Sequence, residues 1–346
     1  MKYLDISRPL ANYDGNGITL TNCNEVFILN NIVKNRFIGI SSSGGRDHTL
    51  QNNDLRQTGI NSNNPAIYLS AVGAQKLPGG VKLSGNLFGD PTSNNRSRFG
   101  MRINSMSGLL IGDASVSGAH ITIEDGSGMA STGTGDEYVL FLNNVSNVTV
   151  DNLDFTATTY GYQGWGIVVQ NSSDYGNVTI KNCKINNRYS GIYCTGGRDY
   201  TIQNNDLKKT GNDANRPSLW FQNVLPGALP TGILASGNPF GDAGGFTRTG
   251  LRVDGANGLI IGNQTVAGAH ITIEDASGMT AAGTGDNNAV YLIDMSNLMV
   301  DKLDLSSTIG YQGWALVVQN SANNSNVTIQ NCKTHTRYSG IYVSGG

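Results

Sequence analysis

The feature that most restricts the fold of this chain is a tandem duplication of about 150 residues. Residues 118–125 (GAHITIED) recur as residues 268–275, an offset of 150, and residues 161–165 (GYQGW) recur at 310–314, an offset of 149. Self-similarity at a steady period is the sequence signature of solenoids and other repeat architectures. The chain is therefore expected to be built from stacked, similar units.

A shorter motif recurs inside each repeat. An apolar residue is followed by a variable residue, two small or polar residues that are often Asn-Asn, a variable residue and a second apolar residue. The motif begins at Ile28, Leu50, Leu83, Ile111, Val150, Ile180, Ile202, Ala235, Ile261, Val300 and Ile329. The intervals are 22, 33, 28, 39 and 30 residues, then 22, 33, 26, 39 and 29. One pattern of five intervals thus occurs twice.

The motif predicts a strand, a sharp corner and a second strand. Alternation of apolar and polar residues, as in residues 178–180, is typical of a strand with one buried face. Asn adopts the left-handed backbone conformation at little cost, so it suits the corner. We therefore predict an all-β, right-handed parallel β-helix of about eleven coils, in tandem units of five coils. Each strand should pair with its equivalents in the neighbouring coils, Asn side chains should form a ladder, and Ile180, Ile185, Ile202 and Leu207 should be buried.

The repeat boundaries predict one continuous β-helix over residues 1–346. It comprises a partial repeat at 1–16, complete repeats at 17–165 and 166–314, and a partial repeat at 315–346. Because both ends resemble the middle of a coil, we expect the chain to be a segment of a longer array. Copies or neighbouring repeats are then expected to associate end to end.

Composition narrows the class of protein. Charged residues make up 14% and the formal net charge is −2, which argues against a nucleic-acid partner. No apolar run approaches the ~20 residues of a membrane span, and the first residues do not resemble a signal peptide. We expect an extracellular or cell-surface location, with the export signal outside this chain. The cysteines, Cys23, Cys183, Cys194 and Cys332, lack metal-site spacing and are interpreted as small buried apolar residues.

A family resemblance is carried by residues 190–193 (SGIY) followed by residues 200–207 (YTIQNNDL), a pattern that recurs along nearly the whole chain. It resembles the pectate-lyase-like right-handed β-helix superfamily, and most closely the generic β-helix repeats of copper-processing periplasmic proteins and many surface proteins. The resemblance implies the fold. It implies little about activity, because this fold carries lyases, hydrolases, epimerases, phage tailspikes and adhesin stalks.

The enzyme signatures of such relatives are missing. The sequence contains no Asp-Asp pair, no Gly-His-Gly element and no calcium-binding nonapeptide, and Asp90-Pro91 is followed by Thr92 where epimerase-like relatives have His. We therefore predict no catalytic residue, no cofactor and no metal. If the protein is an enzyme, the candidate residues are His120, Glu124 and Asp125, their copies His270, Glu274 and Asp275, and the pair Arg198 and Asp199.

These candidates are interpreted structurally. On a strand, His120 and Glu124 would share one face, so an acid and an imidazole could meet a sugar, but a recent duplication also makes loops identical. The Arg-Asp neighbours, Arg46-Asp47 and Arg198-Asp199, each in a Gly-rich turn before a strand, are interpreted as solvated turn pairs. Aromatic platforms are another route to sugars, but Trp165 and Trp314 open apolar strands and are expected to be partly buried at a coil corner.

The leading hypothesis is a non-catalytic structural or binding repeat segment of a large extracellular protein, such as an adhesin stalk or fibre. The alternative is a polysaccharide-active β-helix, either a lyase or a phage-type depolymerase, that acts on an acidic glycan. Expected partners are further repeats or copies of this chain and, secondarily, a glycan.

Overall fold

The computed structural model describes residues 1, 3–7, 14–61, 63–74, 77, 80–89, 98–124, 137–157, 162–225, 232–241, 247–274, 288–307, 311–321 and 326–346. The described residues form β-strands and no α-helix, and none of their segments is a helix that could cross a membrane. The strands are β1 (Asn16–Thr21), β2 (Phe27–Leu29), β3 (Ile38–Ser43), β4 (His48–Gln51), β5 (Ile67–Ser70), β6 (Val81–Ser84), β7 (Phe99–Asn104), β8 (Leu110–Gly112), β9 (Ile121–Thr122), β10 (Tyr138–Asn143), β11 (Val148–Asp151), β12 (Tyr162–Lys181), β13 (Arg188–Gln203), β14 (Leu207–Lys208), β15 (Leu219–Gln222), β16 (Ile233–Ser236), β17 (Phe240–Gly241), β18 (Leu251–Asp254), β19 (Ile260–Gly262), β20 (Ile271–Thr272), β21 (Asn288–Ile293), β22 (Leu298–Asp301), β23 (Tyr311–Gln319), β24 (Val327–Gln330) and β25 (Arg337–Ser344).

The chain divides into two compact units, Met1–Gln170 and Asn171–Gly346, called unit 1 and unit 2 below. In unit 1, one row of parallel strands, row A, runs β1, β3, β5, β7, β10 and the first part of β12. In unit 2, row A runs β13, β15, β18, β21, β23 and β25, again all parallel. The predicted all-parallel solenoid is confirmed.

A second row, row B, contains a strand that the sequence did not predict. In unit 1 it runs β2, β4, β6, β9, β8 and β11, so the short strand β9 lies between β6 and β8 although it follows β8 in the chain. Unit 2 has the same inversion, in the order β13, β16, β20, β19, β22 and β24. The motif at Ile111 therefore pairs with Ile121, and Ile121 rather than Ile111 pairs with Leu83.

The core lies inside the coils, on the inward faces of the two rows. Ile28, Leu50, Leu83, Ile121, Ile111 and Val150 are almost fully buried and follow one another along row B of unit 1. In unit 2, Ile180, Ile185, Ile202 and Leu207 are fully buried, as predicted. Each such side chain contributes roughly 2 kcal/mol through its removal from water.

The Asn-Asn corners divide two tasks between neighbouring residues. The first Asn adopts the left-handed conformation, with φ of 55° at Asn52 and 55° at Asn204. The second Asn is buried and joins a ladder: Asn31 Nδ2 donates to Asn53 Oδ1 at 3.0 Å, and Asn53 Nδ2 donates to Asn86 Oδ1 at 2.9 Å. The predicted ladder is confirmed, because these side chains satisfy buried polar groups where the chain turns.

The ladder of unit 2 contains a cysteine. Asn205 Nδ2 donates to Asn238 Oδ1 at 2.9 Å, and the backbone N–H of Cys183 donates to Asn205 Oδ1 at 3.0 Å. Cys183 thus occupies the place that Asn31 holds in unit 1. All four cysteines are free thiols. Cys183 and Cys194 are buried as predicted, whereas Cys23 and Cys332 are only half-buried.

Candidate functional site

The predicted candidate His120 closes the loop between β8 and β9. Its backbone N–H donates to the carbonyl of Leu110 at 2.8 Å, and its imidazole Nδ1 accepts the backbone N–H of Leu110 at 3.1 Å. His270 repeats the arrangement with Ile260, at 2.8 Å and 3.0 Å. Each imidazole therefore ties the inserted strand to the strand beside it.

The other members of this candidate cluster do not complete a catalytic arrangement in the described residues. Glu124 and Glu274 are exposed, and within the described part of the chain no hydrogen bond or ion pair joins either to the histidine of its copy. Asp125 and Asp275 lie outside the described residues. Burial lowers the pKa of both His120 and His270, which favours the neutral ring that a Nδ1 acceptor requires.

The loop histidines predict a loss of stability on acidification. Their folded-state pKa values lie below 6.5, so the unfolded chain takes up protons first as the pH falls. Their contribution is fully present above about pH 6.5 and is lost as the pH falls through the lowered folded-state values. We expect the melting temperature to drop as the pH falls below about 6.5, in thermal denaturation monitored by circular dichroism.

The matched control is the double variant His120→Gln/His270→Gln, which cannot titrate at these positions. Its melting temperature should be lower at neutral pH and should change less with pH. His48 should supply part of the remaining slope, because burial lowers its pKa as well. An unchanged pH dependence in the double variant would show that the two imidazoles do not anchor the loops.

The Gly-Gly-Arg-Asp turns occupy a corner before row B. Both aspartates have left-handed backbones, with φ of 56° at Asp47 and 57° at Asp199. Asp47 is buried, contacts Arg46 with a 3.7 Å Nε–Oδ2 distance and accepts the backbone N–H of Leu77 at 3.0 Å. The interpretation as a solvated pair is therefore wrong in unit 1, because this carboxylate holds a loop. In unit 2, Arg198 is exposed and Asp199 is half-buried.

A set of outward-facing side chains on row A was not predicted. In unit 2, Tyr193, Trp220, Arg252, Tyr291, Val317 and Tyr342 are register partners in successive strands. Tyr193 stacks on Trp220 with ring centroids 4.5 Å apart. In unit 1 the same positions hold Tyr68, Arg102 and Phe141. We call this set of residues in unit 2 the aromatic row.

The guanidinium of Arg252 is enclosed within the aromatic row. Its Cζ lies 4.4 Å from the centroid of Trp220 and 5.3 Å from that of Tyr291. Its Nε donates to Asp254 Oδ1 at 2.9 Å, and the indole N–H of Trp220 donates to Asp254 Oδ2 at 3.1 Å. Such cation–π and charge-assisted contacts stabilise the outer face of the sheet. The positive charge of Arg252 is therefore paired with Asp254 and with aromatic rings of the same protein.

The signal that could have revealed this row is register. Tyr193, Trp220 and Tyr291 are separated by unequal intervals in the sequence, so no fixed period links them. Their equivalence becomes visible only when the position of each residue is numbered relative to the inward-facing residue of its own strand. Trp220 has no tryptophan copy one repeat away, which hid its equivalence to Tyr68.

The comparisons with known proteins concern the fold. A family model described as the right-handed β-helix region matches residues 10–214, more than half of the chain. The chain belongs to the right-handed β-helix family. A search of curated proteins found no match, and a search of solved structures found none either. Among the described residues of this right-handed β-helix, no group of three or more His, Cys, Asp or Glu side chains is placed to hold a metal ion.

Proposed function

We propose that this right-handed β-helix is a non-catalytic structural and binding segment of a larger extracellular or cell-surface protein, such as an adhesin stalk or fibre. The observation that carries the proposal is the structural role of the two duplicated histidines, His120 and His270. Through Nδ1, both imidazoles accept a backbone N–H of the neighbouring strand, at 3.1 Å and 3.0 Å, so each histidine has a structural role. In both copies the histidine thus holds a strand in place.

The alternative function is a lyase or depolymerase that acts on an acidic glycan. Such an enzyme needs a base beside the uronate. The exposed side chain of Arg198 in its glycine-rich turn is the feature that favours this alternative. Arg252 does not favour it, because its guanidinium is held by Asp254 and by two aromatic rings.

The test is an assay for unsaturated uronate products with pectate, alginate and glycosaminoglycan as substrates. We expect no product from the purified chain. His270→Ala should instead lower the melting temperature, because it removes the acceptor for the Ile260 N–H. Product formation that disappears in Arg198→Ala or His270→Ala, with both variants still folded, would replace the fibre proposal with the enzyme.

End-to-end association is part of the fibre proposal, and the strand β25 supports it. Residues 337–344 (RYSGIYVS) nearly repeat residues 188–195 (RYSGIYCT) of β13. In β13, residues 192–195 pair with the parallel strand β15 and Cys194 is fully buried. The equivalent residues Ile341 and Val343 in β25 are 44% and 51% exposed. We propose that this edge pairs with a parallel strand from another β-helix coil, supplied by a second copy or a neighbouring repeat.

We expect the sedimentation coefficient of the chain to rise with concentration in analytical ultracentrifugation. Val343→Lys should abolish the rise, because it places a charge where the equivalent Cys194 is fully buried. The control is Thr328→Lys, which adds the same charge at an exposed position on β24. A sedimentation coefficient that is independent of concentration in the parent chain would contradict the association.

A further inference from the structure

Two tryptophans at equivalent positions differ in exposure. Trp165 in unit 1 and Trp314 in unit 2 both follow the sequence Gly-Tyr-Gln-Gly, 149 residues apart. Trp165 is buried, at 7% exposed, whereas Trp314 is partly exposed. Their register partners on the preceding strand of row A also differ: Tyr138 pairs with Trp165, and Asn288 pairs with Trp314.

In unit 1, Tyr138 is the register partner of Trp165, so its buried ring is expected to take up the space beside the indole. Tyr138 is 3% exposed, and its centroid lies 5.0 Å from that of Phe99 and 4.9 Å from that of Phe141. Burial raises the pKa of its phenol, and a side-chain hydrogen bond links the phenol to Arg102. A hydroxylated six-membered ring thus fits this position of the fold when it is supplied by the chain itself.

In unit 2, the shorter Asn288 leaves that space open. A cavity of about 410 Å³ is lined by Asn288, Tyr291, Trp314, Val317, Gln319 and Tyr342. Tyr291 and Tyr342 occupy the same register position two strands apart, with Val317 between them. At ~4.8 Å per strand their backbones are about 10 Å apart, enough for one saturated ring between two aromatic rings. The Trp314 ring lies 5.0 Å from that of Tyr342 and forms a wall.

Among the residues that the structure describes, the lining carries aromatic rings and amides and no charged side chain. Aromatic faces pack against the C–H faces of a sugar ring, and amide groups hydrogen bond its hydroxyls. The hydroxyl of Tyr291 donates to Gln319 Oε1 at 2.7 Å. The side-chain amide nitrogen of Gln319 is therefore the group of this pair that can donate to a sugar hydroxyl. The nearby Arg252 is neutralised by Asp254.

We propose that the cavity between Tyr291, Trp314 and Tyr342 is a binding site for one uncharged hexopyranose unit of a glycan. The site goes beyond the structural role proposed above and does not depend on end-to-end association. It also differs from the acidic-glycan alternative in the charge of its ligand. In unit 1 the buried Tyr138 stands at the register position of Asn288, so the substitution Asn288→Tyr should close the site with a group that the fold already accommodates.

The experiment is a calorimetric titration of the full chain with uncharged oligosaccharides built from glucose, mannose, galactose or N-acetylglucosamine. Oligogalacturonate and oligomannuronate are titrated in parallel. We expect at least one uncharged oligosaccharide to bind with a Kd on the order of 1 mM or lower. Asn288→Tyr and Trp314→Ala should each weaken it about tenfold or more. Trp220→Ala, which removes a half-exposed indole outside the cavity lining, should not change it.

Thermal denaturation of each variant separates a closed site from an unfolded protein. Because Trp314→Ala adds no volume, it tests the site even when Asn288→Tyr destabilises the coil. Binding of the uncharged sugar that survives both substitutions in folded protein would overturn the proposal. So would binding confined to the acidic oligosaccharides, or no binding by the parent chain at millimolar sugar.

Discussion

Chains carrying Ile202→Asp are expected to appear almost entirely in the insoluble fraction. Ile202 is fully buried in row B and pairs with Ala235 of β16. An aspartate there would place an unpaired carboxylate in a narrow apolar interior, which costs several kcal/mol. A loss of that size is comparable with the total stability of about 5–15 kcal/mol of a folded domain. The substitution should therefore abolish folding.

The matched control is Thr201→Asp, because Thr201 is the adjacent residue and is half-buried on the opposite face of the same strand. It introduces the same charge one residue away and should leave a soluble protein. Soluble yield and the circular dichroism of the soluble fraction distinguish the two variants. If Ile202→Asp melts at the temperature of the parent, the inward register of row B is wrong.

The second large effect is expected for Asn53→Ala in the ladder of unit 1. The side chain of Asn53 donates to Asn86 Oδ1 and to the carbonyl of Ile28, and it accepts the backbone and side-chain N–H groups of Asn31. Alanine would leave the backbone and side-chain N–H groups of Asn31 without this acceptor and the carbonyl of Ile28 without this donor, whereas Asn86 Oδ1 would keep the backbone N–H of residue 53. We expect the free energy of unfolding to fall by about 3 kcal/mol.

The control for the ladder is the neighbouring Asn52, which is exposed and has φ of 55°. Asn52→Gly should change the stability little, because glycine adopts this backbone conformation without strain. Asn52→Ala should cost about 1 kcal/mol through left-handed strain alone. Urea denaturation of the three variants tests the division of tasks within the pair. Equal losses for Asn52→Gly and Asn53→Ala would contradict it.

The sequence was sufficient for the elements that depend on local pattern. The Asn-Asn pairs predict the corners because one residue must enter the left-handed region and the other must satisfy buried backbone groups, and both tasks suit asparagine. Alternation predicts the buried faces, as at Ile180 and Ile202. Each signal is contained within a few neighbouring residues, so it can be recognised from the sequence alone.

The elements that depend on order across coils could not be predicted in this way. The interval between Leu83 and Ile111 is compatible with direct pairing, and nothing local indicates that Ile121 lies between them. The role of His120 follows from that insertion. The cavity beside Trp314 depends on the difference between Tyr138 and Asn288, which matters only once their register partners are known.

The inverted order of β8 and β9 constrains how the chain reaches its native state. A solenoid whose strands stack in chain order can grow from one end by adding each coil to the last. Here β9 must enter between β6 and β8, so β8 has no completed neighbour on one side until residues 121–122 arrive. We therefore expect β6, β8 and β9 to come together as one group, and unit 2 repeats this order with β16, β19 and β20. A chain that folds from its N-terminus is therefore expected to add one coil at a time except at this point in each unit.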